Sequence, residues 1–163
     1  MPAAPLPANE ADRLSALRRS GALESGPDPR LDDIVQRVFG MAGASVAAIS
    51  LVDETRQVFK SSIGLGVPHT ARDVSFCAYV ILSADPLVVL DAKQDARFVD
   101  NALVCSPPFV SFYLGVPVFG PGHHPFGALF VLDSAPRQQV SPELLALLRK
   151  LAAETSEILA AEH

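Results

Sequence analysis

The chain is predicted to be an α/β sandwich of the α+β kind, a single domain built on an antiparallel sheet with helices drawn from both ends. Three observations point there. Capped helical segments stand near each end, the apolar spacing changes from helical to strand-like at Val46, and two pairs of strand-like segments follow, each joined by a short turn.

The opening Pro2-Ala3-Ala4-Pro5-Leu6-Pro7-Ala8 has little to bury, so residues 1–8 are expected to form a mobile lead-in to one domain over 9–163. Asn9 is placed to cap a first helix over 9–20, with Asp12 in its first turn, Leu14 and Leu17 on one face, and Gly21 to end it in a left-handed conformation. A second helix opens on Asp28-Pro29, a capping acid followed by proline in the first turn. It carries Leu31, Ile34, Val35, Val38 and Ala42 at helical spacing as far as Gly43.

Val46–Val52 is apolar on both faces, as a central strand covered on two sides would be. Asp53-Glu54-Thr55 turns the chain into 57–61, read as an antiparallel partner with one wetter face. After a loop over 64–73, Ser75 is expected to cap a short helix through Leu82, and 87–90 reads as a compact buried strand. Pro107-Pro108 breaks the chain before 110–119, which Gly120-Pro121-Gly122 turns into 126–132 as a second hairpin. A last helix over 141–161 starts at Ser141-Pro142-Glu143. Its apolar stripe joins Leu144, Leu148, Leu151, Thr155 and Ile158, and Leu145, Ala152 and Leu159 widen it beyond what one sheet contact needs. Part of that face is expected to meet a second copy of the chain.

At 163 residues and 49% apolar, the chain has enough for one core and no room for a second folded domain. The longest apolar runs fall short of a membrane span, and MPAAPLPANE lacks the basic start and apolar middle of a secretory signal, so a soluble cytoplasmic protein is expected. The opening Met and the lack of a linker after His163 favour a complete small protein. With a net charge of −5 and scattered Lys and Arg, phosphate-backbone binding has nothing to rest on, and no nucleic acid partner is expected. Cys77 and Cys105 lack a neighbouring Cys or His at metal-ligand spacing and read as free thiols. His123-His124 reads as a solvated turn, and no metal site, nucleophile elbow or phosphate loop is found.

Five segments recur in a fixed order. They are Ile49-Ser50-Leu51-Val52-Asp53, Arg56-Gln57-Val58-Phe59-Lys60-Ser61-Ser62, Ser75-Phe76-Cys77-Ala78-Tyr79, Asp91-Ala92 through Asp95-Ala96-Arg97-Phe98 to Asn101-Ala102-Leu103-Val104, and Phe112-Tyr113-Leu114-Gly115-Val116-Pro117 followed by 127–133. Over roughly 12–159 this order resembles a GAF domain of the bacterial kind found ahead of diguanylate cyclase, phosphodiesterase or histidine kinase domains. The resemblance implies a five- or six-stranded antiparallel sheet, with the terminal helices on one face and a ligand pocket under short helices and loops on the other. It implies a pocket bordered by Phe76, Cys77, Tyr79, Asp91, Asp95, Arg97, Phe98, Phe112 and Tyr113, the aromatics as rigid walls and the others as directional polar groups. The same Phe residues also suit core packing, and Asp91, Asp95 and Arg97 suit a loop-locking ion pair with a helix cap.

Three positions depart from the general family pattern, and a fourth from that of its bilin-attaching branch. Tyr79 stands where relatives carry His and Ser111 where they carry Arg, which removes two cations from the implied pocket and disfavours an anionic ligand. Ala102 replaces the usual Pro. Ala78 follows Cys77 where bilin-attaching relatives have His. Functionally, the resemblance implies a stand-alone sensory or regulatory domain that binds an unidentified small molecule, has no catalysis of its own, and signals through its terminal helices or a separate output protein. Homodimerisation through the 141–161 helix is expected. Two alternatives are a dimeric interaction module with a filled pocket, and a thiol-dependent free methionine sulfoxide reductase using Cys77 and Cys105.

Overall fold

The computed structural model describes residues 3–161. The helices are α1 (Glu10–Ser20), α2 (Pro29–Ala42), α3 (Cys77–Val80), α4 (Ala102–Cys105) and α5 (Pro142–Ala161). The strands are β1 (Val46–Val52), β2 (Arg56–Ile63), β3 (His69–Ala71), β4 (Leu87–Val89), β5 (Phe112–Phe119) and β6 (Pro125–Asp133). The strands form one antiparallel sheet in the order β3-β2-β1-β6-β5-β4. Both expected hairpins form, and β1 lies inside the sheet with every residue buried. Residues 3–8 carry no helix or strand, while the rest of the lead-in, residues 1 and 2, lies outside the described residues.

Local chemistry sets several helix ends. The Asp28 side chain accepts from the Arg30 N–H ahead of Pro29, and Gly21 and Gly43 end α1 and α2 at φ 73° and 61°. Ser141 Oγ accepts from the Leu144 N–H at 3.1 Å at the start of α5. Asn9 occupies the cap position of α1, but its side chain accepts no bond there. Instead Glu10 is drawn into a buried ion cluster. Arg13 Nε donates to Glu10 at 2.8 Å and Arg13 Nη1 to the Val52 carbonyl at 2.7 Å, while Arg72 Nη1 donates to Glu10 at 2.6 Å and to the Asp53 carbonyl at 3.0 Å. Arg13 is fully buried.

Several expectations are corrected. β2 has no wetter face, because a bulge at Lys60 shifts its parity: Ile49 pairs with Ser61 and Ser50 with Phe59. Gln57 and Phe59 therefore lie on the side of Ser50, while Ser61 turns to the helices and donates to Asp32 at 2.6 Å. Lys60 donates to the Ala22 and Gly26 carbonyls and to Ser25 Oγ. β3, read as loop, is a short edge strand paired to 56–58. β4 is an edge strand rather than a buried one, with Val88 40% exposed. α3 is shorter than expected and ends at Val80, although Ser75 Oγ does accept from the Ala78 N–H at 3.2 Å.

Most of the wide stripe of α5 is buried within one chain, with Leu145 and Ile158 half-buried at its edge. α5 packs on β5 and against α2 together, so Leu144, Leu148, Leu151, Ala152, Thr155 and Leu159 are all buried. Leu148 and Leu151 are core, with no exposed surface to offer another chain. α1, α2 and α5 thus cover one side of the sheet; α3, α4 and the loops around them cover the other.

Candidate ligand-binding site

On the side away from the long helices, the sheet and its short covering elements enclose a cavity of about 330 Å³. Its floor is sheet: Val46 of β1, Gln57 and Phe59 of β2, Tyr113 of β5, and Phe130 and Leu132 of β6. Its walls are 64–67 and Thr70 on one side, Phe76 and Cys77 on another, and Leu103, Pro107, Pro108 and Val110 on the third. Strand parity explains the floor. Tyr113 pairs with Leu132, Gly115 pairs with Phe130, and alternate residues of each strand point the same way.

The aromatic residues are interlocked. Tyr113 packs on Phe130 with centroids 5.3 Å apart and on Phe76 at 5.0 Å, and Phe76 stacks flat on Phe98 at 4.2 Å. Gly115 makes this possible, since a Cβ there would come within 2.6 Å of the Tyr113 hydroxyl. Small and flat positions beside large ones let the ring lie down on its own strand.

Of the nine residues expected at the pocket, Phe76, Cys77 and Tyr113 line the cavity. Phe98 stands behind Phe76, and Tyr79 meets Phe98 edge-on at 5.0 Å. Asp91 Oδ1 accepts from the Lys93 N–H, and Asp95 holds the Arg97 guanidinium at 2.7 and 3.0 Å while accepting from the Arg97 N–H at 2.9 Å. These three close their own turns and do not line the cavity. Hydrogen bonding from Arg97 holds the Asp95 carboxyl below its ordinary range. Phe112 lies on the opposite side of the sheet, among the long helices, with Arg137 over its ring at 4.5 Å. Adjacent residues of a strand cannot both face one pocket, so Phe112 and Tyr113 had to divide between the two sides.

Among the lining residues outside the expected nine are Gln57, Phe59, Thr70, Leu103, Val110 and Phe130. Gln57 is only 4% exposed; its Nε2 donates to Thr70 Oγ1 at 2.8 Å, and its Oε1 is buried with no hydrogen-bond partner. A polar side chain with β-strand neighbours and an aromatic two positions on, Gln57 and Phe59, was the available signal. Reading it needed the parity of β2, which the bulge conceals.

The two thiols differ in setting. Cys77 is buried, 3.1 Å from the Tyr113 hydroxyl, and burial pushes its thiol up to about 11. Burial raises the Tyr113 phenol as well, and the neighbouring thiol adds to it. Cys105 is exposed and bonds the Val99 carbonyl at 3.4 Å; both cysteines are free. A thiol pushed up this far supplies little thiolate near neutral pH, which disfavours both nucleophilic attack and chromophore attachment at Cys77.

The comparisons agree with this architecture. A family profile described as GAF domain matches residues 26–159. The chain is 36% identical over 148 residues to a cyclic di-GMP phosphodiesterase of Pseudomonas aeruginosa, a match that takes in 91% of this chain and 25% of that protein. The chain therefore spans about a quarter of the length of that relative. Among solved structures it superposes on the GAF domain of an Acinetobacter phosphoenolpyruvate-protein phosphotransferase, with a TM-score of 0.63, 25% identity, and 91% and 92% of the two chains covered. It shares its fold with a type II free methionine-R-sulfoxide reductase from Thermoplasma acidophilum, at a TM-score of 0.64, 16% identity, and 80% and 90% coverage. Order of segments, sheet topology and profile agree that the chain belongs to the GAF domain family.

Proposed function

We propose that this chain is the sensing part of a signalling system: a small molecule enters the cavity between the sheet and the short helices, and the signal leaves through the terminal helices. The observation that carries this reading is the cavity itself, about 330 Å³ and lined almost wholly by apolar and aromatic side chains, within the range of small-molecule sites. A domain that served as an interaction module alone would have its aromatics filling that space.

A route from cavity to helix supports the second half. Thr70 of β3 lines the cavity, and two residues on Arg72 bonds Glu10 of α1 at 2.6 Å. Movement of the β3 wall would reach the N-terminal helix through this ion pair, whose two side chains are largely buried. The likeness to a cyclic di-GMP phosphodiesterase supports an output in cyclic di-GMP turnover. That output would be carried by a unit other than this fold.

Native mass spectrometry of freshly purified protein, run beside the same sample under denaturing conditions, tests the reading. A bound mass that leaves on denaturation is expected. Protein that stays free of added mass, and that shows no shift of cavity-lining resonances against a small-molecule library, would overturn it.

A further inference from the structure

The lining of the cavity also selects what it holds. Among the described residues, no Lys, Arg, His, Asp or Glu side chain lines it. A phosphate or carboxylate moved into such a site loses its hydration and meets no cation, whereas charged ligands are ordinarily held by paired or bidentate groups. Four rings, Phe59, Phe76, Tyr113 and Phe130, border the space, and their mutual contacts are stacked or tilted. Such walls favour a flat ring that packs against them.

One polar group in this setting is unfinished. Gln57, a residue of the cavity floor, is held by its donor bond to Thr70 Oγ1, which leaves Oε1 buried and unpartnered. Buried acceptors are nearly always satisfied, and one left open beside an apolar cavity marks where a donor is missing. Water or a ligand N–H or O–H can supply it. The breadth and aromatic character of the surrounding wall favour the ligand.

We infer that the ligand is an uncharged, flat aromatic molecule that donates one hydrogen bond to Gln57 Oε1. This rests on the cavity being the ligand site proposed above. Indole is the natural probe, neutral and flat with one N–H; benzothiophene has nearly its shape and no donor. In titrations of the full chain followed by nuclear magnetic resonance, indole is expected to bind at least tenfold more tightly than benzothiophene, because the unmatched acceptor stays buried with the second. In Gln57→Leu the two probes should bind alike. The probe pair reads the same bond in unaltered protein, so the result stands even if that variant folds poorly.

Cyclic GMP serves as the anionic competitor and is expected to leave bound indole in place. Equal binding of the two bicyclic probes to the unaltered chain would overturn the bond to Gln57, and displacement of indole by cyclic GMP would overturn the uncharged class. If neither probe binds while native spectra still carry a ligand mass, the ligand class falls and the sensory reading stands. If neither probe binds and no ligand mass is seen, both fall.

Discussion

The two sides of the sheet are built differently from strands they share. Toward α1, α2 and α5, alternate residues such as Ala47, Ile49, Leu51, Leu114 and Val131 meet long helices, and the space between them is filled mostly by aliphatic side chains, with Phe112 and Phe126 among them. Toward α3 and α4, the intervening residues of the same strands meet helices of four residues each, joined by irregular chain. A long helix delivers a continuous apolar stripe that can be packed to crystal-like density, whereas single turns and loops deliver side chains at uneven heights. Large rings then bridge the gaps and leave a cavity. The same sheet supplies stability on one side and a site on the other.

A matched pair of truncations gives the largest contrast. Leu148 is fully buried between α5 and the sheet, and Leu148→Ala should cost about 3 to 5 kcal/mol of unfolding free energy. Leu103 is half-buried at the cavity wall, and Leu103→Ala should cost about 1 kcal/mol or less, because the side chain it loses already borders open space. Urea unfolding measures both. Equal costs would mean that the cavity side is packed as tightly as the helix side.

Next in size is the ion cluster that ties α1, which precedes the stretch matched by the family profile, to Arg72 within that stretch. Glu10→Ala leaves Arg13 buried with its carbonyl acceptors Val52 and Pro125 alone. A loss of about 2 kcal/mol is expected, below the 3 to 5 typical of a fully buried pair, because those two acceptors remain. Burial alone would raise the Glu10 carboxyl, but hydrogen bonds from Arg13 and Arg72 outweigh it and hold the group below its ordinary range. A depressed carboxyl contributes fully at neutral pH and loses its contribution as the pH falls through its folded-state value. The gap in stability between the parent chain and Glu10→Ala should therefore narrow below about pH 4. A gap unchanged down to pH 2 would show that the cluster acts through packing and not through charge.

The smallest expected effect sharpens the account of the cavity floor. Tyr113→Phe keeps the ring on Phe130 and removes the hydroxyl bonded to Cys77, so about 1 kcal/mol should be lost with the fold intact. Denaturant midpoints measure the cost, and crystallography of the variant should find the ring over Gly115 as before. A ring that swings into the cavity would show that the hydroxyl, and not the packing, positions the wall.

Much of this was legible in the sequence because it depends on neighbours a few residues apart. Asp28-Pro29, Ser141-Pro142, Gly21 and Gly43 mark helix ends through bonds and dihedral angles that are local, and the two hairpins follow from short turns between apolar runs. The order of five segments carried the family. Strand parity, equally local, separates Tyr113 from Phe112, although the family resemblance implies both at the pocket. What the tertiary structure decided depends on residues brought together from afar. The bulge at Lys60 sets which side Gln57 and Phe59 face, and it exists because 60 and 61 are both drawn to partners near α2. Arg13, a charge on a helix in sequence, is buried because two strand ends and Glu10 supply its acceptors. The cavity has no local cause at all: it is the volume left when four-residue helices cover a sheet that long helices fill on its other side.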